Sequence, residues 1–216
     1  GPRDAVPVLL EGLHRLEYRG YDSAGVAVVD GGGLRVVKTA GRVGDLRKAV
    51  PNDAAGRTGI AHTRWATHGE PTDRNAHPHV DAAARVAIVH NGVFENSDRL
   101  RARLRADGVA LASDTDSEVL AHLVARSGAA TLEDAVREAL AQVEGTYGVI
   151  VMDADRVSRR KIMIFSQSAH LQQRAGRPLE KGEEALERFA DHLVKAIDEF
   201  RPLQVNVTRR AFEDRV

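Results

Sequence analysis

The feature that most restricts the fold of this chain is a β-hairpin signal close to its N-terminal end. Two runs rich in β-branched residues, VAVVD and LRVVKTA, flank three consecutive glycines at positions 31–33. Glycine tolerates the positive φ angles of tight hairpin turns, so this pattern predicts two adjacent antiparallel strands. The glycines do not indicate a phosphate-binding loop, because no Lys-Ser or Lys-Thr pair follows them and no helix begins there.

Hydrophobic spacing predicts helices on both sides of further strands. Apolar residues at helical spacing indicate a helix over 3–16 and three more within DRLRARLRAD, SDTDSEVLAHLVARSG and TLEDAVREALAQV. Gly108 is expected to end the second helix, and Thr131 with Asp134 forms a capping-box pattern at the start of the last. The runs TGIAHTRWA, RVAIVHNG and TYGVIVMD predict strands. This order favours an α+β fold with αββα layers and a mostly antiparallel sheet over alternating βαβ units.

The character of the sequence changes after about residue 155. We therefore expect one domain over 1–155 and a divergent α/β extension of unknown role over 156–216. The extension contains a basic connector, a short strand KIMIF that could fill space in the sheet, an amphipathic helix over 183–200 and a last strand LQVNV. The apolar face of the helix favours packing on the core of its own domain over binding to a partner.

Composition excludes several classes of protein. The formal net charge is +0, so no general attraction to nucleic acid or to an anionic membrane is expected. No apolar run is long enough to span a bilayer and no signal peptide opens the chain, which predicts a cytoplasmic protein. The sequence contains no cysteine, so the 216 residues hold no disulfide, no thiolate metal site and no thiol nucleophile.

Five histidines lie between positions 62 and 90 and raise the question of a zinc site. Their spacing matches no metal-ligand pattern, so we expect neither a metal nor a cofactor. His62 and His90 are instead expected at strand ends, as hydrogen-bonded structural groups.

Four segments are dense in functional residue types: RGYDSAG, HTRWATHG, HNGVFEN and SDTD. In the second, the planar guanidinium of Arg64 suits a carboxylate clamp, although a structural salt bridge to Asp22 or Glu95 is an equal alternative. In the fourth, Asp116 could bind a ligand ammonium, but capping of the following helix is the simpler interpretation of this residue alone.

The dipeptide Asn91-Gly92 follows a predicted strand and also allows two interpretations. A tight turn is the better one for an isolated Asn-Gly pair. Alternatively, the side-chain amide of Asn91 and the backbone N–H of Gly92 would form an oxyanion hole.

Taken together, four stretches resemble a known family in both order and spacing. They are LEGLHRLEYRGYDSAGVAVV, GIAHTRWATHGEPTDRNAHPH, VAIVHNGVFEN and SDTDSEVLAHLV. They resemble the glutaminase domain of glucosamine-6-phosphate synthases, which belongs to the class II, N-terminal-nucleophile amidotransferases, and the match runs over about residues 1–155. The resemblance implies an αββα sandwich that hydrolyses glutamine to glutamate and ammonia, without a cofactor, for glucosamine-6-phosphate synthesis from fructose-6-phosphate.

The resemblance also implies a role for individual residues. Arg64 would grip the α-carboxylate of glutamine and Asp116 its α-ammonium, with Thr67 and His68 in the same pocket wall. A zwitterionic ligand needs one fixed cation and one fixed anion, which agrees with the interpretation from the residues alone.

Other residues match parts of the family's site that serve the reaction. Asn91 and Gly92 would form the oxyanion hole, and Trp65 would gate the ammonia path towards a sugar-isomerase domain. Arg19 would lie in the loop near the nucleophile.

The sequence departs from the family pattern at both ends. The family's nucleophile is a cysteine on an N-terminal strand of the type Cys-Gly-Ile-Val-Gly, which leads into the GPRDA region and is absent here. After about residue 155 the sequence is atypical, and the isomerase domains are absent. We therefore expect a truncated glutaminase domain with negligible activity. The alternatives are an inactive glutamine-binding or regulatory paralogue, and a truncated chimeric product.

Overall fold

The computed structural model describes residues 4–31, 33–65 and 69–155 and the backbone of residues 162–167, the side chain of residue 19 aside. Several predictions lie outside these residues: the pocket-wall roles of Thr67 and His68, the helix over 183–200 and the strand LQVNV. The side-chain role of Arg19 also lies outside them.

The predicted hairpin forms the core of the first sheet. β1 (Ser23–Asp30) and β2 (Gly33–Ala40) pair antiparallel from Ser23–Ala40 to Asp30–Gly33, so the turn is tight and the hairpin prediction is confirmed. β3 (Thr58–Arg64) pairs antiparallel with the other edge of β1, which gives the order β2-β1-β3. This pairing places Arg64, the last residue of β3 and the third of the HTRWATHG segment, opposite Ser23 at the end of the sheet.

Two helices cover the first sheet. α1 (Ala5–Leu16) begins after Asp4, whose carboxylate accepts a hydrogen bond from the Val6 N–H, and Pro7 falls in the first turn, where its missing N–H costs nothing. α2 (Val43–Ala49) was not predicted, because only Val43 and Leu46 of its seven residues are buried and so short a segment shows no helical period.

The second sheet carries the other strands of the described chain. β4 (His79–Val80), β5 (Val86–Phe94), β6 (Gly145–Asp153) and β7 (Ile162–Gln167) are antiparallel neighbours in that order. β7 contains most of KIMIF and pairs with β6, so this part of the atypical segment extends the sheet. The domain boundary at 155 stays a prediction.

Three helices cover the second sheet, and their ends follow the predicted signals. They are α3 (Ser97–Ala106), α4 (Glu118–Arg126) and α5 (Leu132–Leu140). Thr131 caps α5 by accepting from the Asp134 N–H at 3.1 Å, and Gly108, with φ +81°, follows the end of α3 in the left-handed conformation. Among the described residues, none of the helices has the length and apolar character needed to cross a bilayer.

Alternation along the strands separates three apolar layers and confirms the α+β fold. Odd and even positions of a strand face opposite sides of its sheet, so β1 and β5 each contribute to two layers. One layer lies between α1, α2 and the first sheet, and another lies between α3, α4, α5 and the second sheet. The middle layer joins the two sheets and is built from small and medium side chains: Ala27, Ile60, Ala87, Val89 and Met152. The chain is therefore an αββα sandwich.

β5 continues through Asn91 and Gly92, so the tight-turn interpretation of this dipeptide is wrong. The two residues pair with Gly148 and Tyr147 of β6. Gly92 has φ +127°, and a Cβ atom there would lie 2.1 Å from the Thr146 carbonyl oxygen. Only glycine fits this conformation and this approach between backbones.

We predict that Gly92→Ala lowers the free energy of unfolding by more than about 2 kcal/mol, because it adds steric overlap to a strained φ angle. Gly148→Ala is the matched control, since a Cβ at Gly148 meets no atom within 4 Å and its φ is not positive. It should change the stability by less than about 1 kcal/mol. Urea unfolding followed by circular dichroism measures both, and equal losses would contradict the prediction.

Candidate functional site

The structure brings three of the predicted site residues to one end of the sandwich. Arg64 ends β3 in the first sheet, Asn91 lies on β5 in the second, and Asp116 lies just before α4. His62, two residues before Arg64, contacts Asn91 across the two sheets, with 3.1 Å between Nε2 and Oδ1. Asp116 in turn accepts a hydrogen bond from the Phe94 N–H at 2.9 Å. Segments distant in sequence therefore meet at one site.

Arg64 presents a buried positive charge at this site. The residue is only 5% exposed, and its Nη1 and Nη2 atoms lie 3.5 and 3.3 Å from the carbonyl oxygens of Glu70 and Gly69. Burial lowers the pKa of Arg64, and the negative charges of Asp116 and Asp22 oppose that shift. Guanidinium nevertheless stays protonated, so the site holds a fixed cation near two acids.

Asp116 does not cap α4, so the simpler interpretation of this residue is wrong. Ser117 occupies the N-cap position, and the Asp116 carboxylate turns towards β5 instead. Its Oδ2 atom accepts from the Phe94 N–H, and its Oδ1 atom accepts from the Ser117 hydroxyl at 3.1 Å. The hydrogen bond from the Phe94 N–H of β5 takes the carboxylate that capping of α4 would use. Binding of a ligand ammonium by Asp116 stays a prediction.

Asn91 is exposed at the end of the sandwich, and His62 determines how its amide is oriented. With Oδ1 directed at the Nε2 atom of His62, the two N–H bonds of the Asn91 amide remain for other acceptors. Gly92 is also exposed. Formation of an oxyanion hole by these two residues stays a prediction.

Trp65 lies beside the site and faces outward. It is 58% exposed and packs edge-on against Tyr21, with ring centroids 5.5 Å apart. The chain at Gly20 approaches Arg64 so closely that a Cβ there would lie 2.8 Å from the Arg64 carbonyl carbon. The RGYDSAG segment is therefore anchored next to the predicted clamp, although it is distant from Arg64 in sequence.

The histidines form a neutral, packed group. His77, His79 and His90 are buried, His62 is partly buried, and the rings of His62 and His79 each lie 4.6 Å from that of His77. Burial lowers the pKa of all four, to about 4 for His62 and His90. Within the described ranges, no group of three or more His, Cys, Asp or Glu side chains is arranged to hold a metal ion.

The expected positions of two histidines are only partly confirmed. His62 and His90 do form hydrogen bonds, to Asn91 and to Ser117. His90, however, lies in the middle of β5 and not at its end, because the strand extends four residues further to Phe94.

A buried ionic network that we did not predict holds the loop before α4. Glu118 is 2% exposed, and its carboxylate accepts from the N–H groups of Ala112 and Ser113 at 2.6 and 2.8 Å. Burial raises the pKa of Glu118, but these bonds and one from His122 outweigh it and lower the pKa to about 2. Arg101 donates to the carbonyls of Ser113 and Thr115 at 2.6 and 2.7 Å. The position of Asp116 thus depends on residues that resemble ordinary helix-surface charges in the sequence.

Comparison with known proteins identifies the family. The model of the glutamine amidotransferase domain matches residues 40–165. The chain belongs to this family. The site described above therefore lies in a glutamine amidotransferase domain, as the sequence motifs predicted.

Individual relatives support this assignment. Residues of the chain are 53% identical over 153 positions to a glutamine–fructose-6-phosphate aminotransferase (isomerizing) of Symbiobacterium thermophilum, covering 70% of the chain and 25% of that protein. The protein of the same name from Mycobacterium tuberculosis is 52% identical over 164 positions, covering 72% of the chain and 26% of that protein. The chain thus spans about a quarter of the length of the curated relatives it matches.

A solved structure of the same fold is also similar. It is the glutamine phosphoribosylpyrophosphate amidotransferase from B. subtilis complexed with ADP and GMP, with a TM-score of 0.62 and 30% identity. The match covers 71% of this chain and 34% of that one. This likeness agrees with an N-terminal-nucleophile amidotransferase fold.

We predict that the free energy of unfolding falls as the pH is lowered from about 6.5 towards 4. In this window the unfolded histidines are protonated while His62 and His90, with pKa values of about 4, remain neutral in the folded state. The unfolded state then binds more protons, so acid favours it by about 1.4 kcal/mol per pH unit for each such histidine. Glu118, with a pKa of about 2, loses its contribution only below about pH 4.5.

Urea unfolding between pH 7.5 and pH 5 tests this dependence. The matched variant is His62→Gln, whose amide can still donate to Asn91 but does not titrate, so it should reduce the slope by about one proton. A free energy of unfolding that does not change over this range would contradict the prediction.

Proposed function

We propose that this chain is the glutamine-binding part of a glutaminase that supplies ammonia for glucosamine-6-phosphate synthesis from fructose-6-phosphate. The observation that carries the proposal is the presence of two opposite charges, Arg64 and Asp116, near enough to affect each other at the same end of the sandwich as the amide of Asn91. The similarity to glutamine–fructose-6-phosphate aminotransferases over about 150 residues supports the choice of this reaction. The same similarity supports a cytoplasmic location.

Glutamine fits the chemistry of this site group by group. Its α-carboxylate would pair with the guanidinium of Arg64, in the bidentate geometry that a planar fork allows. Its α-ammonium would pair with the carboxylate of Asp116. Thr67 and His68 follow Arg64 by three and four positions in the sequence and would complete the wall around these groups.

The amide end of glutamine would reach the exposed end of β5. Attack on the amide carbon places a negative charge on its oxygen, and this charge would be stabilised by the Asn91 side-chain N–H and the Gly92 backbone N–H. Because the Oδ1 atom of Asn91 contacts His62, the amide nitrogen of Asn91 points away from His62. Arg19 would border the same pocket from the RGYDSAG segment.

The nucleophile is the group that these residues do not contain. Hydrolysis in this family requires a thiol, and none of the 216 residues is a cysteine. We infer that the 216 residues bind and orient glutamine but do not cleave it by themselves. The alternative, a glutamine-binding regulatory protein, is less favoured, because oxyanion donors serve only a transition state and the two residues that would supply them, Asn91 and Gly92, are both kept.

A sugar-isomerase domain is the proposed partner. The relatives are about four times longer than the matched part of this chain, which leaves room for such a domain in a complete protein. Trp65 is exposed at the site and would face that domain, gating the passage of ammonia.

We predict that the chain binds L-glutamine and that Arg64→Ala and Asp116→Asn each weaken binding at least about tenfold. Each substitution removes a charge-assisted hydrogen bond, worth about 1.5–3 kcal/mol. Titration calorimetry measures the dissociation constants, with D-glutamine as the ligand control. Arg99→Ala is the control variant, because Arg99 is an exposed arginine of α3 that pairs with Glu144. Absence of L-glutamine binding, or equal affinities in all variants, would disprove the proposed site.

We further predict that the 216-residue chain releases no glutamate from glutamine above a blank. A version extended at its N-terminus by a Cys-Gly-Ile-Val-Gly strand should release glutamate, and replacing that cysteine by serine should abolish the release. Glutamate release by the unextended chain that is lost in Arg64→Ala would show a nucleophile within these residues. An extended chain that binds glutamine without cleaving it would favour the regulatory alternative.

A further inference from the structure

Asp116 is held by a chain of two hydrogen bonds that begins on β5. The Ser117 hydroxyl donates to the Oδ1 atom of Asp116 at 3.1 Å, and the Nδ1 atom of His90 lies 2.8 Å from the same hydroxyl oxygen. His90 and Ser117 are 4% and 2% exposed, whereas Asp116 is more accessible. These two hydrogen bonds therefore connect the interior of the sandwich to the carboxylate at the site.

The direction of these bonds follows from the protons available. A hydroxyl has one proton, and the carboxylate can only accept, so Ser117 must donate to Asp116 and accept from His90. His90 then carries its proton on Nδ1 and none on Nε2. This tautomer also suits the surroundings of Nε2, which has no hydrogen-bond partner within the described residues, since an unpaired N–H there would cost more than an unpaired acceptor.

His90 itself is held in place by aromatic packing. Its ring stacks on Phe94 with centroids 4.0 Å apart and planes inclined by 10°. The backbone N–H of Phe94 donates to the other carboxylate oxygen of Asp116 at 2.9 Å. β5 therefore contacts both oxygens of Asp116, one through a backbone N–H and one through His90 and Ser117.

We propose that His90 and Ser117 are positioning residues that orient the Asp116 carboxylate towards the α-ammonium of the ligand. This inference rests on the proposed function, in which Asp116 binds that ammonium. Within the described residues, each oxygen receives one neutral donor and has capacity for a second. Because both donors are neutral, neither offsets the negative charge of Asp116 as a lysine or a protonated histidine in the same place would.

The test compares two ligands in a Ser117→Ala variant of the same chain. L-glutamine carries the α-ammonium, whereas glutaric acid monoamide has the same carboxylate and amide without it. Removing the hydroxyl should weaken L-glutamine about fivefold and leave glutaric acid monoamide unchanged, because only the former pairs with Asp116. NMR chemical-shift titration measures both affinities, and Ser117→Thr, which restores a hydroxyl, should recover the affinity for L-glutamine.

The outcomes separate a positioning role from a structural one. Equal weakening of both ligands, or no change in either, would overturn the inference. If Asp116→Asn weakens L-glutamine but Ser117→Ala does not, the proposed function stands and only the positioning role fails. Failure of the chain to bind L-glutamine would overturn both.

A measurement without ligand tests the same chain of bonds. Nitrogen-15 NMR of the histidine rings should show His90 protonated on Nδ1 in the native chain. Protonation on Nε2 would overturn the inference, since Ser117 would then have to donate to His90 and could not hold Asp116.

Discussion

Strand β5 is the element on which the rest of this structure depends, because it is buried on both faces. Val86 and Ile88 face α3, α4 and α5, the helices that cover the second sheet, whereas Ala87 and Val89 face the first sheet. A strand confined from both sides cannot change its register with β6 without placing polar residues in an apolar layer. The three residues that follow, His90, Asn91 and Gly92, therefore reach the site in fixed positions.

The electrostatics of the site rest on a division between charged and neutral groups. Arg64 and Asp116 supply the two charges, and each is held by backbone groups or neutral donors. The imidazoles packed behind them are neutral because burial lowers their pKa. Protonated imidazoles in the same place would repel Arg64 and compete with the ligand for Asp116. In the proposed function, a zwitterion would therefore meet one cation and one anion beside neutral imidazoles.

Sequence rules for turns and helix ends predicted the elements that depend on neighbouring residues alone. The hairpin, the Thr131 cap and the Gly108 helix end all depend on residues a few positions apart, and the structure confirms them. The turn interpretation, which local preference favoured for an isolated Asn91-Gly92 pair, is wrong because the long-range pairing of β5 with β6 overrides that preference. Arg101 and Glu118 were missed for a related reason. Their charges look solvent-exposed in sequence, and only the packing of α3 against the loop before α4 buries them.

The candidate site was found through combinations of motifs and not through single residues. Arg64, Asp116 and Asn91 each had a simpler explanation alone, yet the order and spacing of the four stretches indicated one family. The contacts of Ser117 and His62 with other site residues could not be inferred in this way, since neither residue has a distinctive spacing. Hydrogen bonds between different strands and loops define them.

The two sheets divide the site between them, and this division has a mechanical consequence. Arg64 belongs to the first sheet, whereas Asn91 and the Phe94 N–H that binds Asp116 belong to the second. The layer that keeps the sheets in alignment consists of small side chains such as Ala27 and Ala87, which allow close approach. A displacement of about 1 Å between reacting groups can reduce a rate about a hundredfold. A small sliding of one sheet over the other would thus misalign Arg64 and Asn91 without unfolding the protein. Alanines far from the site consequently act as spacers that set the distance between Arg64 and Asn91.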